Sequence, residues 1–160
     1  MKLAAEVAPR ILVAGSVAHV EGLRALGDTK RAGWSLLARR AARSGVDLVV
    51  VGRPAAGADA LAAIARLKDD PATASTPVLH AAPAEDACPE CRADVCLSTG
   101  SSAGELARVA QALLDLARAR ARSSGLYAAR DSLAEGAAAR PAPSAPARRR
   151  GCWPRRTTSA

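Results

Sequence analysis

Phenylalanine is absent from the 160-residue sequence, and the aromatic complement is one tyrosine and two tryptophans. Any core must therefore be built from small aliphatic side chains. No apolar run approaches the roughly 20 residues that a membrane span needs. The opening Met1-Lys2-Leu3-Ala4-Ala5-Glu6 is too short and too polar for a signal peptide, so the chain is expected to be cytoplasmic with its four cysteines reduced. Histidine is scarce. Neither His19, expected on a helix surface, nor His80, expected near a strand end, has a Ser or Cys partner in a triad arrangement, which argues against nucleophilic catalysis. The Arg- and Ala-rich composition fits a high-GC bacterial genome.

Charge is plentiful but uneven. Residues 1–122 carry 16 basic and 13 acidic groups, whereas residues 123–160 carry seven arginines against Asp131 and Glu135. The net charge of +8 thus resides largely in the tail. That tail could bind nucleic acid or an anionic membrane face by counterion release, although Trp153 is its only tryptophan and arginine-rich disorder is common.

The centre of the chain is Asp47-Leu48-Val49-Val50-Val51-Gly52, an apolar run without alternation that predicts a strand buried on both faces. Ile11–Ala14, Thr76–Ala81 and Val95–Leu97 predict three more strands. Ser16 is expected to cap a helix reaching about Leu26, and Gly27–Gly33 reads as a polar turn. Trp34–Arg43 follows helical spacing and is stopped by Ser44-Gly45. Asp59 is the expected N-cap of a helix with Leu61, Ile64, Ala65 and Lys68 on one stripe, ended by Asp69-Asp70-Pro71. Pro83–Arg92 is a short helix or irregular, since Pro89 interrupts it. Ser102-Ala103-Gly104-Glu105 matches a capping box. The helix it opens places Leu106, Val109, Ala110, Leu113 and Ala117 on one stripe, and its helical propensity extends through Leu126–Leu133. From Gly136 onward the prolines and Arg148-Arg149-Arg150 oppose packed structure. Alternating strands and helices predict an α/β fold with a doubly wound parallel sheet.

The residues from Asp47 to Ala82 resemble the middle of a response-regulator receiver domain. The resemblance rests on Asp47–Val51, Gly57-Ala58-Asp59, the Arg66–Thr73 stretch and Thr76-Pro77-Val78-Leu79, in order and without a gap. Arg92–Leu97 resembles the family's GADxYL segment, and Gly104-Glu105-Leu106 opens the last helix as EEL does. The most specific part is Asp-Pro-Ala-Thr followed by Thr-Pro-Val. The resemblance covers about residues 10–120 and implies a flavodoxin-like (CheY-like) three-layer sandwich of four to five strands. From Ser16 to Gly52 the chain is about six residues shorter than receivers usually are, with no clear apolar run for a second strand.

Receivers phosphorylate an aspartate at the end of the central strand. An acidic pair holds Mg²⁺, a lysine contacts the phosphoryl group, and a hydroxyl senses it. The metal and the ammonium neutralise charge on the transferring oxygens. On this resemblance the acceptor position is Gly52, and the acidic pair falls at Ala14, Gly15 and Ser16. The sensing hydroxyl falls at Ala82, the Lys-Pro pair at Thr99-Gly100 and the switch aromatic at Cys96. Each of these positions is substituted.

The sequence also has features of two other classes. A nucleotide-binding or universal-stress-type domain also ends a strand in VVVG, but only Gly52 and Gly57 are present where phosphate would need a glycine-rich loop. Cys88-Pro89-Glu90-Cys91 with Cys96 and His80 makes a Cys₃His zinc set or a redox pair conceivable; the bland reading is a reduced thiol pair plus a buried Cys96. Asp59 and Asp47 read as a helix cap and a strand-start residue.

The expectation is a non-enzymatic pseudo-receiver spanning residues 10–122, with an N-terminal extension at 1–9, a helical extension at 123–135 and a basic Pro/Arg-rich tail at 136–160. It is expected to use no cofactor or metal. It would act by contact with a protein partner, a signalling kinase or an output protein, and the last helix could pair two copies. The alternatives are a phosphorylated receiver with a displaced acceptor, a zinc or redox module, or a fragment of a larger sensor.

Overall fold

A computed structural model describes residues 8–83 and 91–138, with side-chain burial followed to Gly125. Five strands, β1 (Arg10–Ala14), β2 (Asp28–Ala32), β3 (Leu48–Val51), β4 (Val78–Ala82) and β5 (Val95–Ser98), form one sheet. All neighbours are parallel, in the order β2-β1-β3-β4-β5. The helices are α1 (Val20–Arg24), α2 (Leu37–Ser44), α3 (Ala60–Asp69) and α4 (Ala103–Ala138). No helix among the described residues is long and apolar enough to cross a membrane.

The pleat explains the unbroken apolar runs. Ile11, Val13, Leu48, Val50, Leu79 and Ala81 point to one face, against Leu23 of α1 and Leu106, Ala110, Leu113 and Leu114 of α4. Leu12, Ala14, Val49, Val51 and Val78 point to the other, against Leu37 and Ala41 of α2 and Ile64 and Leu67 of α3. Successive residues thus enter opposite cores, and β3 is fully buried along its length. With no phenylalanine, both layers close on Leu, Ile, Val and Ala, and the doubly wound architecture is the one expected.

Several local expectations are corrected. The polar stretch at 28–32 is a strand, not a turn: Asp28–Ala32 pairs in register with Arg10–Ala14, completing a five-stranded sheet. As an edge strand it needs partners on one side only, so its Lys30 and Arg31 stay solvated and only Ala32 is buried. Ser16 does not cap α1, because its backbone is engaged with Arg53, and the helix starts at Val20 after His19 in the left-handed region. Trp34–Leu36 forms a 3₁₀ turn before α2, leaving Leu36 exposed and Leu37 and Ala41 inward. In α3 the buried stripe is Ala60, Ile64 and Leu67, and Leu61 faces solvent. Helix α4 continues past Leu133 to Ala138, across the strongly helix-forming Ala137 and Ala138. Contacts divide the chain into a unit ending at Ser123 and another from Ser124.

The turn from α3 to β4 accounts for the family-like Asp-Pro-Ala-Thr stretch. Asp70 Oδ1 accepts from the Ala72 amide, and the fully buried Thr73 donates its hydroxyl to the Leu67 carbonyl at 2.7 Å. At the amino ends of β4 and β5, Asp94 accepts from Lys68 Nζ at 2.6 Å and from the Val78 amide at 2.7 Å. The Lys68 side chain is only 13% exposed and also donates to the Thr76 carbonyl. Removing the carboxylate strands an ammonium and an amide together. Asp94→Ala should therefore cost about 2–3 kcal/mol in denaturant unfolding, against less than ~1 kcal/mol for Asp28→Ala, whose ion pair with Lys30 is solvated.

Candidate functional site

In parallel α/β sheets, ligands gather at the carboxyl ends of the strands. Here that rim carries Ala14-Gly15-Ser16 after β1, Gly52-Arg53 after β3, Ala82-Pro83 at the end of β4 and Ser98-Thr99 at the end of β5. None of these residues is acidic. The β4 and β5 ends are tied by the Thr99 amide donating to the Ala82 carbonyl at 2.9 Å, so those two positions do meet.

The β1 and β3 ends are joined more tightly. The Ser16 amide donates to the Arg53 carbonyl and the Arg53 amide to the Ser16 carbonyl, each at 2.9 Å. This is a local antiparallel bridge laid across the end of a parallel sheet. The Gly52 amide donates to the Ala14 carbonyl at 2.8 Å. A Cβ at Gly52 would overlap the Ser16 carbonyl oxygen and lie 2.5 Å from Val17 Cγ2. Gly15, at φ +76°, allows the crossing, and a Cβ there would stand 2.6 Å from the Arg53 carbonyl oxygen and 2.7 Å from Trp34 Cζ2. The crevice between Ala81, Leu97–Thr99, Ala18 and Leu106 measures about 10 Å³, enough for one water at most.

The described lysines lie away from these residues. Of the described lysines, Lys30 pairs with Asp28 on β2 and Lys68 pairs with Asp94 at the opposite end of the sheet. Mg²⁺ requires oxygen ligands, usually including a carboxylate. The rim residues do not fit it. The two other acids considered are structural: Asp59 Oδ1 caps α3 by accepting from the Ala62 amide, and Asp47 accepts from the Arg10 amide at 2.7 Å.

A second cluster is built on β4, β5 and Cys91, which precedes β5. His80, Cys91 and Cys96 are brought together, with their ligand atoms all within 4.8 Å of one another. Cys91 Sγ is 3.4 Å from His80 Nδ1. His80 is buried within β4 rather than at a strand end, and Cys96 is exposed on edge strand β5 rather than buried. Cys88, the remaining member of the expected set, lies outside the described residues, as does the basic tail. His19 is exposed and precedes α1.

The rim bridge was not foreseen. Glycines at both strand ends were visible, but which carbonyl they admit depends on the three-dimensional crossing. A basic groove of about 510 Å³ lined by Arg10, Lys30, Arg40 and Arg43 was also missed, though three of its cations are engaged: Arg10 with the Ser44 carbonyl, Arg40 with the Arg31 carbonyl and Lys30 with Asp28.

Solved structures of signal receiver domains share this fold. That of a signal transduction histidine kinase from Syntrophus aciditrophicus superposes with a TM-score of 0.58 at 20% identity, covering 68% of this chain and 91% of its own. That of an HD domain-containing protein from Pseudomonas fluorescens Pf-5 gives 0.63 at 18% identity, covering 76% and 98%. The chain has the receiver-domain fold. A response regulator from Desulfuromonas acetoxidans extends the likeness, with a TM-score of 0.53 at 21% identity over 68% of this chain and 98% of its own. No protein-family model matches the sequence, and no curated protein does.

Within this receiver fold, Gly52→Ala should destabilise the protein by about 3 kcal/mol or more, because backbone rather than a flexible side chain must yield. Gly104→Ala, in α4 with open space around it, should instead stabilise by roughly 0.5 kcal/mol. Urea unfolding of both variants checks the contrast.

Proposed function

We propose that this chain is a receiver-like signalling module that works by protein–protein contact and is not phosphorylated on its central strand. The reading is carried by one observation: the backbone of Ser16 occupies the space that any side chain at position 52 would need. A missing acceptor could in principle be restored by mutation, whereas an acceptor site covered by a bridged backbone has no room for the acyl phosphate. The absence of a carboxylate at Ala14, Gly15 and Ser16, and of an ammonium at Thr99, supports the same reading.

The module is assigned to residues 10–122 and to the cytoplasm, with a signalling kinase or an output protein as its partner. It carries out no catalysis. Helix α4 offers a route to pairing, and the basic residues beyond it are a secondary candidate for anionic surfaces.

Incubation of the full chain with acetyl phosphate and Mg²⁺ tests this reading. Intact-mass measurement should show no hydroxylamine-labile gain of about 80 Da, the mass of one phosphoryl group. A labile adduct on the wild-type protein, mapped to any aspartate, would replace the proposal with a receiver whose acceptor is displaced.

A further inference from the structure

We propose that His80, Cys91 and Cys96 form a binding site for a thiophilic divalent cation of the zinc type, independent of the phosphorylation reading. The strand register creates the site. His80 and Cys96 are paired Cα neighbours of parallel strands β4 and β5, so their side chains project from the same face. That face is the α2–α3 side, since Leu79 and Ala81 belong to the opposite core and Val78 to this one. Cys91 packs against the same core and brings its sulfur to His80.

The distances suit a shared ion. Tetrahedral zinc, with Zn–S of about 2.3 Å and Zn–N of about 2.0–2.1 Å, separates its nitrogen and sulfur ligands by about 3.6 Å and two sulfurs by about 3.8 Å. The observed Cys91 Sγ–His80 Nδ1 separation is 3.4 Å, and no pair in the trio exceeds 4.8 Å. Small rotamer adjustments would close the set on one ion.

The chemistry also selects the ion. Two sulfurs and an imidazole without a carboxylate favour zinc over Mg²⁺ or Ca²⁺. On binding, each thiol releases its proton to solvent and donates a sulfur lone pair, while the histidine ligates as neutral imidazole. Two thiolates balance the dication, so a neutral complex forms beside a histidine that is only 5% exposed, where net charge would be costly. Exposed Cys96 leaves an approach from solvent, and a water can complete the fourth position. A bound ion would join Cys91 to both β4 and β5, fixing the edge that carries Cys96.

The test uses the reduced full-length protein and Co²⁺ as an optical probe for zinc. One equivalent should give tetrahedral visible bands and thiolate-to-cobalt charge transfer, both abolished by one equivalent of Zn²⁺ and unaffected by Mg²⁺. Cys96→Ser, at an exposed position that should preserve the fold, should reduce the charge-transfer intensity and weaken affinity at least about tenfold. His80→Gln should also weaken it, with circular dichroism checking the fold, and Cys152→Ser should not. Binding below about a tenth of an equivalent would overturn the proposal. So would a spectrum that survives Cys96→Ser and disappears in Cys88→Ser, which would move the metal to the sequence-local cysteine pair.

Discussion

Two reciprocal backbone hydrogen bonds, between Ser16 and Arg53, set the character of the molecule. A parallel sheet ordinarily leaves its strand-end loops apart, and the crevice between them is where phosphate and metal chemistry is placed. Here the chain leaving β1 turns through Gly15 and lies antiparallel to the chain leaving β3. The backbone N–H groups of the two segments each donate to the other's carbonyl, which removes them as donors to a ligand. The side-chain-free Gly52 is what allows the carbonyl of Ser16 to approach. The bridge and the glycine at position 52 are therefore parts of one arrangement.

The opposite end of the sheet shows where charge is used instead. Lys68 and Asp94 meet at the amino ends of β4 and β5, and the same carboxylate takes the Val78 amide. A lysine–aspartate contact is thus present in the fold but serves to join α3 to the sheet. Arg10 likewise gives its guanidinium to the Ser44 carbonyl and its amide to Asp47. These polar interactions secure the amino-terminal side, while at the carboxyl-terminal rim Ser16 and Arg53 are joined through backbone.

What could be read from the sequence follows the strength of each physical signal. Continuous apolar runs at 11–14 and 48–51, and the run at 78–82 interrupted only by His80, announced strands buried on both faces because both faces favour apolar side chains. Asp59 and Pro71 bounded α3 as expected, since capping and the pre-proline restriction act locally. Strand β2 was hidden because an edge strand with Lys30 and Arg31 carries no core pattern, and its pairing is decided by β1. The premature helix assigned from Ser16 failed for the same reason: a non-local partner, Arg53, claimed the residue. At the candidate site the glycines at positions 15 and 52 were visible in the sequence, but the filled volume at position 52 was not. The histidine and thiols could be named as a set, whereas their convergence depended on the β4–β5 register.

The contrast between the two clusters bears on how such a fold can change its chemistry. At the rim, hard-ion chemistry needs carboxylates, and the glycine-mediated bridge leaves no room for a side chain at position 52. Along β4 and β5, the side chains at positions 80 and 96 share a face whatever their identity, because parallel pairing fixes their direction. Soft ligands placed there converge without any new backbone geometry. The same receiver fold thus restricts side-chain volume at position 52 through one backbone approach, while its β4–β5 register brings the side chains at positions 80 and 96 together.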